Sequence, residues 1–238
     1  RLMLQQNRPS EVLELLGDQP ADDGLLSVAR LSKQRAGQAI SGLSAALAKE
    51  PANALLRTRL AAAYLMNGEP GRSLSVLREA SWAQPPAEAV GVELAAQLAL
   101  ENEREANRLV KVLVDSTTVS LDALIAASDS AQRAGKSDMA GRLIDRALQR
   151  DAFNEGALTR RASLEFTQQH YAAARATLDL LLAHHPGHSY ARIAQARVAE
   201  AQGDVAAGRA ALQQAVRAAP ASAEPALMLA GLELRNAQ

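Results

Sequence analysis

The sequence repeats its punctuation every 34 residues, and this period constrains the fold more than any other feature. Pro85 follows Pro51 by 34 residues, and Pro220 follows Pro186 by the same distance. Pro186 follows Pro85 by 101 residues, which is three periods less one residue. We place the missing residue in a shortened turn at Asn102–Ala106. A fixed period of this length is typical of arrays built from one repeated supersecondary unit.

With that deletion, six full repeats fall into register. Their predicted bounds are 20–53, 54–87, 88–120, 121–154, 155–188 and 189–222, with partial repeats at 1–19 and 223–238. We therefore expect one array over 1–238. The sequence does not begin with methionine, and neither end carries the polar cap that such an array needs to cover its apolar faces. We expect the natural protein to continue in both directions.

Three positions of the repeat keep one size of residue. Position 8 is small throughout: Ser27, Ala61, Ala95, Ser128, Ala162 and Ala196. Position 20 is also small: Ala39, Ser73, Ala106, Ala140, Ala174 and Gly208. Position 24 is large and aliphatic: Leu43, Leu77, Val110, Ile144, Leu178 and Leu212. Small residues let two antiparallel helices approach closely, and the large ones fill the space against the next hairpin.

Glycine and proline mark the ends of the two helices in each repeat. Gly68, Gly135 and Gly203 lie at position 15, where the first helix stops and a left-handed residue is needed. Proline at position 32 ends the second helix. Apolar residues make up 48% of the chain but aromatic residues only 3%, so Ala and Leu, which are strong helix formers, dominate. The composition and the period predict an all-α fold.

This framework resembles the tetratricopeptide repeat, a 34-residue helix-turn-helix unit. The second repeat carries it as Leu60-Ala61, Tyr64, Gly68, Leu77, Ala80 and Pro85, and the sixth as Ala196, Gly203-Asp204, Leu212, Ala215 and Pro220. The third and fourth repeats depart from it, with Thr118 and Ala152 in place of proline. The resemblance implies an α-α superhelix of antiparallel hairpins. Within it we interpret Tyr64 and Trp82 as packing residues.

The composition argues against several classes of function. The 26 basic residues balance 26 acidic ones, so no net charge draws the chain to nucleic acid or to an anionic membrane. The chain has no cysteine, which excludes disulfides and thiolate chemistry within it. We find no phosphate-binding loop, nucleophile elbow or paired carboxylates. We therefore expect neither an enzyme nor a cofactor.

A cluster of histidines is the strongest metal-like motif. His184, His185 and His188 lie within five residues of one another, a spacing that can bind zinc or nickel weakly. The cluster surrounds Pro186, which is the punctuation of the repeat, so an exposed turn between repeats is expected there. We favour the interpretation that these are solvated loop histidines and predict no metal site.

The first helices of tetratricopeptide arrays line the inner groove, and the resemblance places the candidate partner-binding residues there. A protein or peptide is the expected ligand. The first repeats offer an apolar strip suited to a helix or an extended apolar segment, and the later ones add arginines that can pair with carboxylates. The candidates are Val28, Ala62, Leu65, Met66, Val92, Arg160, Ser163, Phe166, Ile193 and Arg197.

The known carboxylate clamp of tetratricopeptide co-chaperones can be tested directly on the sequence. That clamp has Lys and Asn at positions 5 and 9 of a first helix. The corresponding pairs here are Gly24 and Val28, Thr58 and Ala62, and Thr159 and Ser163. The clamp is absent, and we reject that function.

The stretch from Leu15 to Val114 resembles the repeat lipoproteins of the bacterial PEP-CTERM/exosortase system, which accompany exopolysaccharide genes. It is carried by Asn53–Ala61 followed by Gly68 and Leu74–Leu77. The resemblance implies a scaffold in the periplasm or cell envelope, with a lipid-anchor cysteine outside this sequence; a cytoplasmic location stays open. Two alternatives also remain: a repeat arm of a polysaccharide synthase or secretion complex, and the non-catalytic arm of a glycosyltransferase.

Overall fold

The computed structural model describes residues 23–80 and 82–236, with side chains from Ala36 onward. Twelve α-helices and no strand are found in these ranges. They are α1 Asp23–Lys49, α2 Ala54–Met66, α3 Pro70–Arg78, α4 Ala87–Ala99, α5 Glu103–Asp115, α6 Leu121–Arg133, α7 Ser137–Arg150, α8 Glu155–Thr167, α9 Tyr171–His184, α10 Ser189–Ala201, α11 Val205–Ala218 and α12 Ala223–Asn236. The predicted all-α class is confirmed. Partial repeat 1–19 lies outside the described residues.

The chain divides into two compact units, one ending at Leu143 and one beginning at Ile144. In the first unit, α2 packs on α3, α4 on α5, and the first helices α2, α4 and α6 pack on one another in sequence. In the second unit each helix from α8 to α12 packs on the next. Each unit is thus made of consecutive antiparallel hairpins, and the predicted division of the whole chain into repeats stays a prediction.

The size pattern of the repeat corresponds to the buried seam of each hairpin. From the second repeat on, the small residues at position 20 and the large aliphatic residues at position 24 are buried in every hairpin. Trp82 packs, partly buried, against Ala61, Leu77 and Ala89, as its interpretation as a packing residue requires. Tyr64 is partly buried, with the guanidinium of Arg72 5.7 Å from its ring centroid.

The deleted residue lies elsewhere than predicted. The turn Leu100–Asn102 between α4 and α5 is three residues long, the same length as the turn between α2 and α3. Helix α4 begins at Ala87 instead of 88, so position 8 is Leu94, fully buried, and not Ala95. The missing residue instead falls between the start of α3 and the start of α4, which are 17 residues apart (70 to 87) against 18 in the next repeat (103 to 121). Below, positions are counted from the observed starts of α2, α4, α6, α8, α10 and α12.

The turn inside each hairpin has one residue with positive φ at position 15. Gly68, Gly135 and Gly203 have φ of 80°, 71° and 77°, as the sequence predicts. Glu101 and Gln169 take the same position with φ of 57° and 62°. A side chain in this left-handed region strains the backbone, because its Cβ crowds the following carbonyl. The hairpin geometry therefore fixes this conformation even where the sequence does not supply glycine.

The first predicted repeat differs from the others. Its two expected helices form the single helix α1, without a break near position 15, where the sequence has Gln34. Leu, Ala, Lys, Gln and Arg dominate the stretch around Gln34, and all are good helix formers. Of its size-pattern residues, Ala39 is exposed and Leu43 is only partly buried. This helix is therefore not closed into a hairpin of its own.

None of the described helices is both long and apolar enough to cross a membrane.

Candidate partner-binding surfaces

Each first helix presents its surface side chains at positions 2, 6, 9 and 13. This spacing places them along one face of an α-helix. On α2 the face consists of Leu55, Arg59, Ala62 and Met66, and on α10 of Tyr190, Ala194, Arg197 and Ala201. Positions 5 and 12 lie beside this face and are more deeply buried. We call positions 2, 6, 9 and 13 the outer row of each helix.

In the first unit the outer row of α2 is the most apolar surface among the candidates. Leu55 is 57% exposed and Met66 51%, while Ala62 between them is partly covered and Leu65 beside them is half-buried. Val92 of α4 packs against the core of this unit and contributes little surface. Val28 lies where side chains are not described. Neither Leu55 nor Arg59 was singled out from the sequence.

The register shift corrects one further groove residue. Counted from residue 88, the predicted start of the third repeat, position 9 is Ala96. With α4 beginning at Ala87, Ala95 takes position 9 and Ala96 is fully buried. The exposed residue of this row on α4 is Ala99.

In the second unit the candidates divide between surface and core. Arg197 is exposed, and Arg160 and Ser163 are partly buried and engaged in interactions within the chain. Phe166 packs into the core of this unit, with its ring centroid 5.6 Å from that of Tyr171. Ile193 is only 4% exposed, so it cannot contact a partner without rearrangement. Its position 5 faces the neighbouring helices, which the sequence pattern alone did not distinguish from the groove.

Two arginines at position 4 bind the loops between repeats. Arg57 donates from one terminal nitrogen to the carbonyl of Pro51 at 3.0 Å and from the other to that of Val76 at 2.9 Å. Arg192 donates to the carbonyl of Pro186 at 2.9 Å and also hydrogen-bonds Gln214. Both side chains thus satisfy carbonyls that follow a helix end. These arginines are structural and contribute no partner-binding group.

A carboxylate inside the α8/α9 hairpin is held by an ionic network. Glu165, 7% exposed, accepts hydrogen bonds from Nε of Arg161 and Oγ1 of Thr177, both at 2.7 Å. Arg161 also donates to Asp145 at 2.6 Å. Desolvation opposes the charged form of Arg161, but the hydrogen bonds and charges of Glu165 and Asp145 outweigh it, so the pKa of Arg161 is raised. The network fills the space between the two helices.

A second ion pair links consecutive repeats at α11 and α12. Arg209 donates from Nε and a terminal nitrogen to the two carboxylate oxygens of Glu233, at 2.6 and 2.8 Å. This two-point pairing is the strong form of an arginine–carboxylate contact. The hydrogen bond to Glu233 raises the pKa of Arg209. Arg209 occupies position 21 of its repeat and Glu233 position 11 of the next.

The histidine cluster is organised around one carboxylate. Nδ1 of His185 lies 3.5 Å from Glu155 and Nε2 of His188 lies 3.3 Å from the other oxygen of that carboxylate. His184 stacks on Phe153, with ring centroids 3.8 Å apart. His188 is the N-cap of α10, because its Nδ1 accepts the amide N–H of Ala191 at 3.0 Å.

The capping role of His188 bears on metal binding. With Nδ1 accepting a hydrogen bond, the neutral ring carries its proton on Nε2, which then has no lone pair for a metal. Among the described residues no group of three or more histidines and carboxylates is placed to hold a metal ion. The geometry gives these histidines contacts within the chain instead of a purely solvated position, and the absence of a metal site stays a prediction.

Comparison with known proteins identifies the fold. The structure of PilW, a widely conserved type IV pilus biogenesis factor, matches with a TM-score of 0.61 and 17% identity over 86% of this chain and 95% of that one. The C-terminal part of a TPR repeat-containing protein from Cytophaga hutchinsonii matches with a TM-score of 0.59 and 13% identity, covering 80% and 77%. YrrB, described as a TPR protein with an unusual peptide-binding site, matches with 0.52 and 15%, covering 78% and 96%.

The chain has the tetratricopeptide-repeat (TPR) fold. No family model matches the sequence, and no curated protein sequence does either. At these identities the structural likeness establishes the TPR fold alone.

Proposed function

We propose that this chain is a protein- or peptide-binding scaffold without a catalytic centre of its own. The observation that carries the proposal is the outer row of α2, where Leu55 and Met66 expose large apolar side chains on one helix face. Exposed apolar rows of this kind suit the apolar face of a partner helix. The peptide-binding site of YrrB, a structural neighbour, supports a peptide as the ligand class.

The second unit adds charge to the proposed scaffold. Arg197 and Tyr190 are exposed on the outer row of α10. An arginine and a tyrosine two turns apart on one helix face suit a partner with acidic and aromatic groups, because arginine pairs with carboxylates and tyrosine combines apolar area with a hydroxyl. We infer that the partner of this unit is more polar than that of the first unit.

We further propose that the scaffold serves a bacterial cell-envelope system, either exopolysaccharide export or PEP-CTERM protein sorting. The support is the sequence resemblance over Leu15–Val114. The alternatives are a non-catalytic arm of a polysaccharide synthase or secretion complex, or of a glycosyltransferase. Sequence beyond residue 238 separates them: more repeats favour the first proposal, and a catalytic α/β domain favours the glycosyltransferase arm.

The test is affinity capture with matched baits from separated envelope and cytosolic extracts, quantified by mass spectrometry. One bait carries Met66→Glu on the outer row and a control carries Leu100→Glu. Leu100 is 48% exposed but caps the end of α4, off the outer row. We expect polymer-secretion or sorting proteins from the envelope to be lost with Met66→Glu and kept with the control.

Two results contradict the proposal. Capture that is equally indifferent to Met66→Glu and to the control removes the outer row of α2 as the binding surface. Capture of cytosolic partners alone removes the envelope assignment and leaves the scaffold function standing.

A further inference from the structure

A second candidate site lies on the side of α10 opposite the outer row. It is a cleft of about 200 Å³ over α10 and α11. Its lining includes positions 7 and 11 of α10, which are Gln195 and Ala199, and the residue just after the helix end, Gln202. At about 100° per residue, positions 7 and 11 lie roughly 150° around the helix from the outer row. The cleft is therefore separate from the surface discussed above.

The cleft lies where three side chains of the repeat differ from those of the repeat before. Position 11 is Glu165 in the repeat before and Glu233 in the repeat after, but Ala199 here. The cleft residue Ala211 likewise stands where Thr177 holds Glu165 in the repeat before. The hydrogen bond from Gln195 to Asp179, at 2.6 Å, corresponds to that from Arg161 to Asp145. The contact to the aspartate is thus kept, while the carboxylate at position 11 and the hydroxyl that would bind it are both missing.

An arginine remains at the edge of this space. Arg175 lines the cleft at position 21, the same position from which Arg209 binds both oxygens of Glu233 one repeat later. Arg175 is exposed, and among the described residues no hydrogen bond or ion pair is found for it. Its expected partner at position 11 is Ala199, which has no carboxylate.

The remaining polar groups of the lining can also serve a carboxylate. Gln214 accepts a hydrogen bond from Arg192 at its carbonyl oxygen, which leaves its NH₂ group as a donor. Gln202 adds a second amide at the rim. The floor is apolar, formed by alanines and Val198, and suits the methylene carbons of a side chain.

We propose that this cleft binds a glutamate side chain of a partner peptide. The ligand carboxylate takes the place that Glu165 and Glu233 hold in the flanking repeats and pairs with Arg175. Its CH₂ groups lie over Ala199 and Ala211. Glutamate is favoured over a chain terminus because both flanking repeats fill this position with a glutamate side chain.

The test uses nuclear magnetic resonance of the ¹⁵N-labelled chain with three alanine-based pentapeptides. The first has a central glutamate and blocked ends, the second has glutamine in its place, and the third has no glutamate but a free terminal carboxylate. We expect saturable shifts of the side-chain signals of Arg175, Gln202 and Gln214 with the first peptide only, with a Kd on the order of millimolar.

Three variants make the assignment specific. Arg175→Gln is expected to weaken binding of the glutamate peptide about tenfold or more, and Ala199→Glu to abolish it by filling the cleft. Arg217→Gln, at an exposed arginine of α11 that does not line the cleft, removes an equal charge and is expected to leave binding unchanged. Because the cleft shares no residue with the outer rows proposed for the scaffold function, failure of that function does not affect this test.

The proposal is overturned by the absence of a saturable shift, by equal shifts with the glutamine or free-terminus peptide, or by binding that is indifferent to Arg175→Gln. Circular dichroism of each variant confirms that loss of binding is not loss of folding. A correctly folded Ala199→Glu variant that still binds the glutamate peptide also contradicts the assignment.

Discussion

Two neighbouring hairpins of the second unit, α8/α9 and α10/α11, have the same helix-turn-helix backbone and differ in the side chains between their helices. In the first, Glu165 is buried and held by Arg161 and Thr177. In the second, Ala199 takes the equivalent position and a cleft opens beside Arg175. The positions are the same in the repeat, so the difference arises from side chains alone.

The comparison teaches that one site in the repeat serves either stability or binding. A buried carboxylate that is fully hydrogen-bonded fixes the two helices of its hairpin. Without it, the hairpin keeps its backbone through the small and aliphatic positions, since Ala196, Leu212 and Ala215 are all fully buried. An array of repeats can therefore lose such a network in one hairpin and gain a surface there.

The largest effect is expected when the network is removed. Glu165→Ala leaves Arg161 and Thr177 without their partner and is expected to lower the free energy of unfolding by about 2 kcal/mol, allowing for the partial exposure of Arg161. Urea denaturation measures the change. Glu200→Ala, which removes only a surface pair with Arg235, is the control and is expected to change it by less than about 1 kcal/mol. Equal effects of the two substitutions would show that the network does not stabilise its hairpin.

A smaller loss of stability is expected when position 7 of the α8/α9 hairpin is given the residue found in the α10/α11 hairpin. Arg161→Gln reproduces Gln195 and can keep the hydrogen bond to Asp145, but leaves Glu165 without its cation. We expect a loss of about 1–2 kcal/mol in unfolding free energy at neutral pH. The double variant with Glu165→Ala should lose less than the sum of the two single losses. Full additivity would contradict the coupling of these two residues.

The turns of the same two hairpins allow a third test, in which each hairpin receives the position-15 residue of the other. Gly203 has φ of 77°, and no atom lies within 4 Å of the place a Cβ would take. Gly203→Gln is therefore expected to destabilise the chain through the backbone alone, by about 1 kcal/mol. Thermal unfolding followed by circular dichroism measures it. An unchanged melting temperature would contradict a strained left-handed residue at position 15.

The reverse exchange has the smallest expected effect. Gln169→Gly relieves the strain at φ of 62°, but glycine also gains more freedom in the unfolded chain. We expect a net stabilisation of about 0.5 kcal/mol or less. The same thermal unfolding experiment applies, and a destabilisation of about 1 kcal/mol or more would show that the Gln169 side chain supports the turn.

The sequence alone predicted the hairpin plan because size and backbone conformation act locally. Gly68, Gly135 and Gly203 mark positive φ in the sequence, whereas Glu101 and Gln169 adopt it only because the hairpin requires it. For the same reason the shortened segment was assigned to the wrong turn: Leu94 and Ala95 can each be read as position 8 until the start of α4 is known.

The candidate surfaces were less predictable because exposure depends on neighbours in space. Ile193 and Arg197 are four residues apart on one helix, yet the first is buried and the second exposed. The sequence does show the change at position 11, which is Glu165, Ala199 and Glu233 in successive repeats, and the arginines at position 21, Arg175 and Arg209. It could not show that positions 21 and 11 of consecutive repeats are in contact, which only the Arg209–Glu233 ion pair in the structure reveals.

The most direct test of this account is a double-mutant cycle of Arg175→Gln and Ala199→Glu, measured by urea denaturation. The account predicts that Ala199→Glu stabilises the chain when Arg175 is present and loses that gain with Arg175→Gln, a coupling of about 0.5–1 kcal/mol. If Ala199→Glu has the same effect in both backgrounds, Arg175 does not face a vacant carboxylate position, and the comparison of the two hairpins fails.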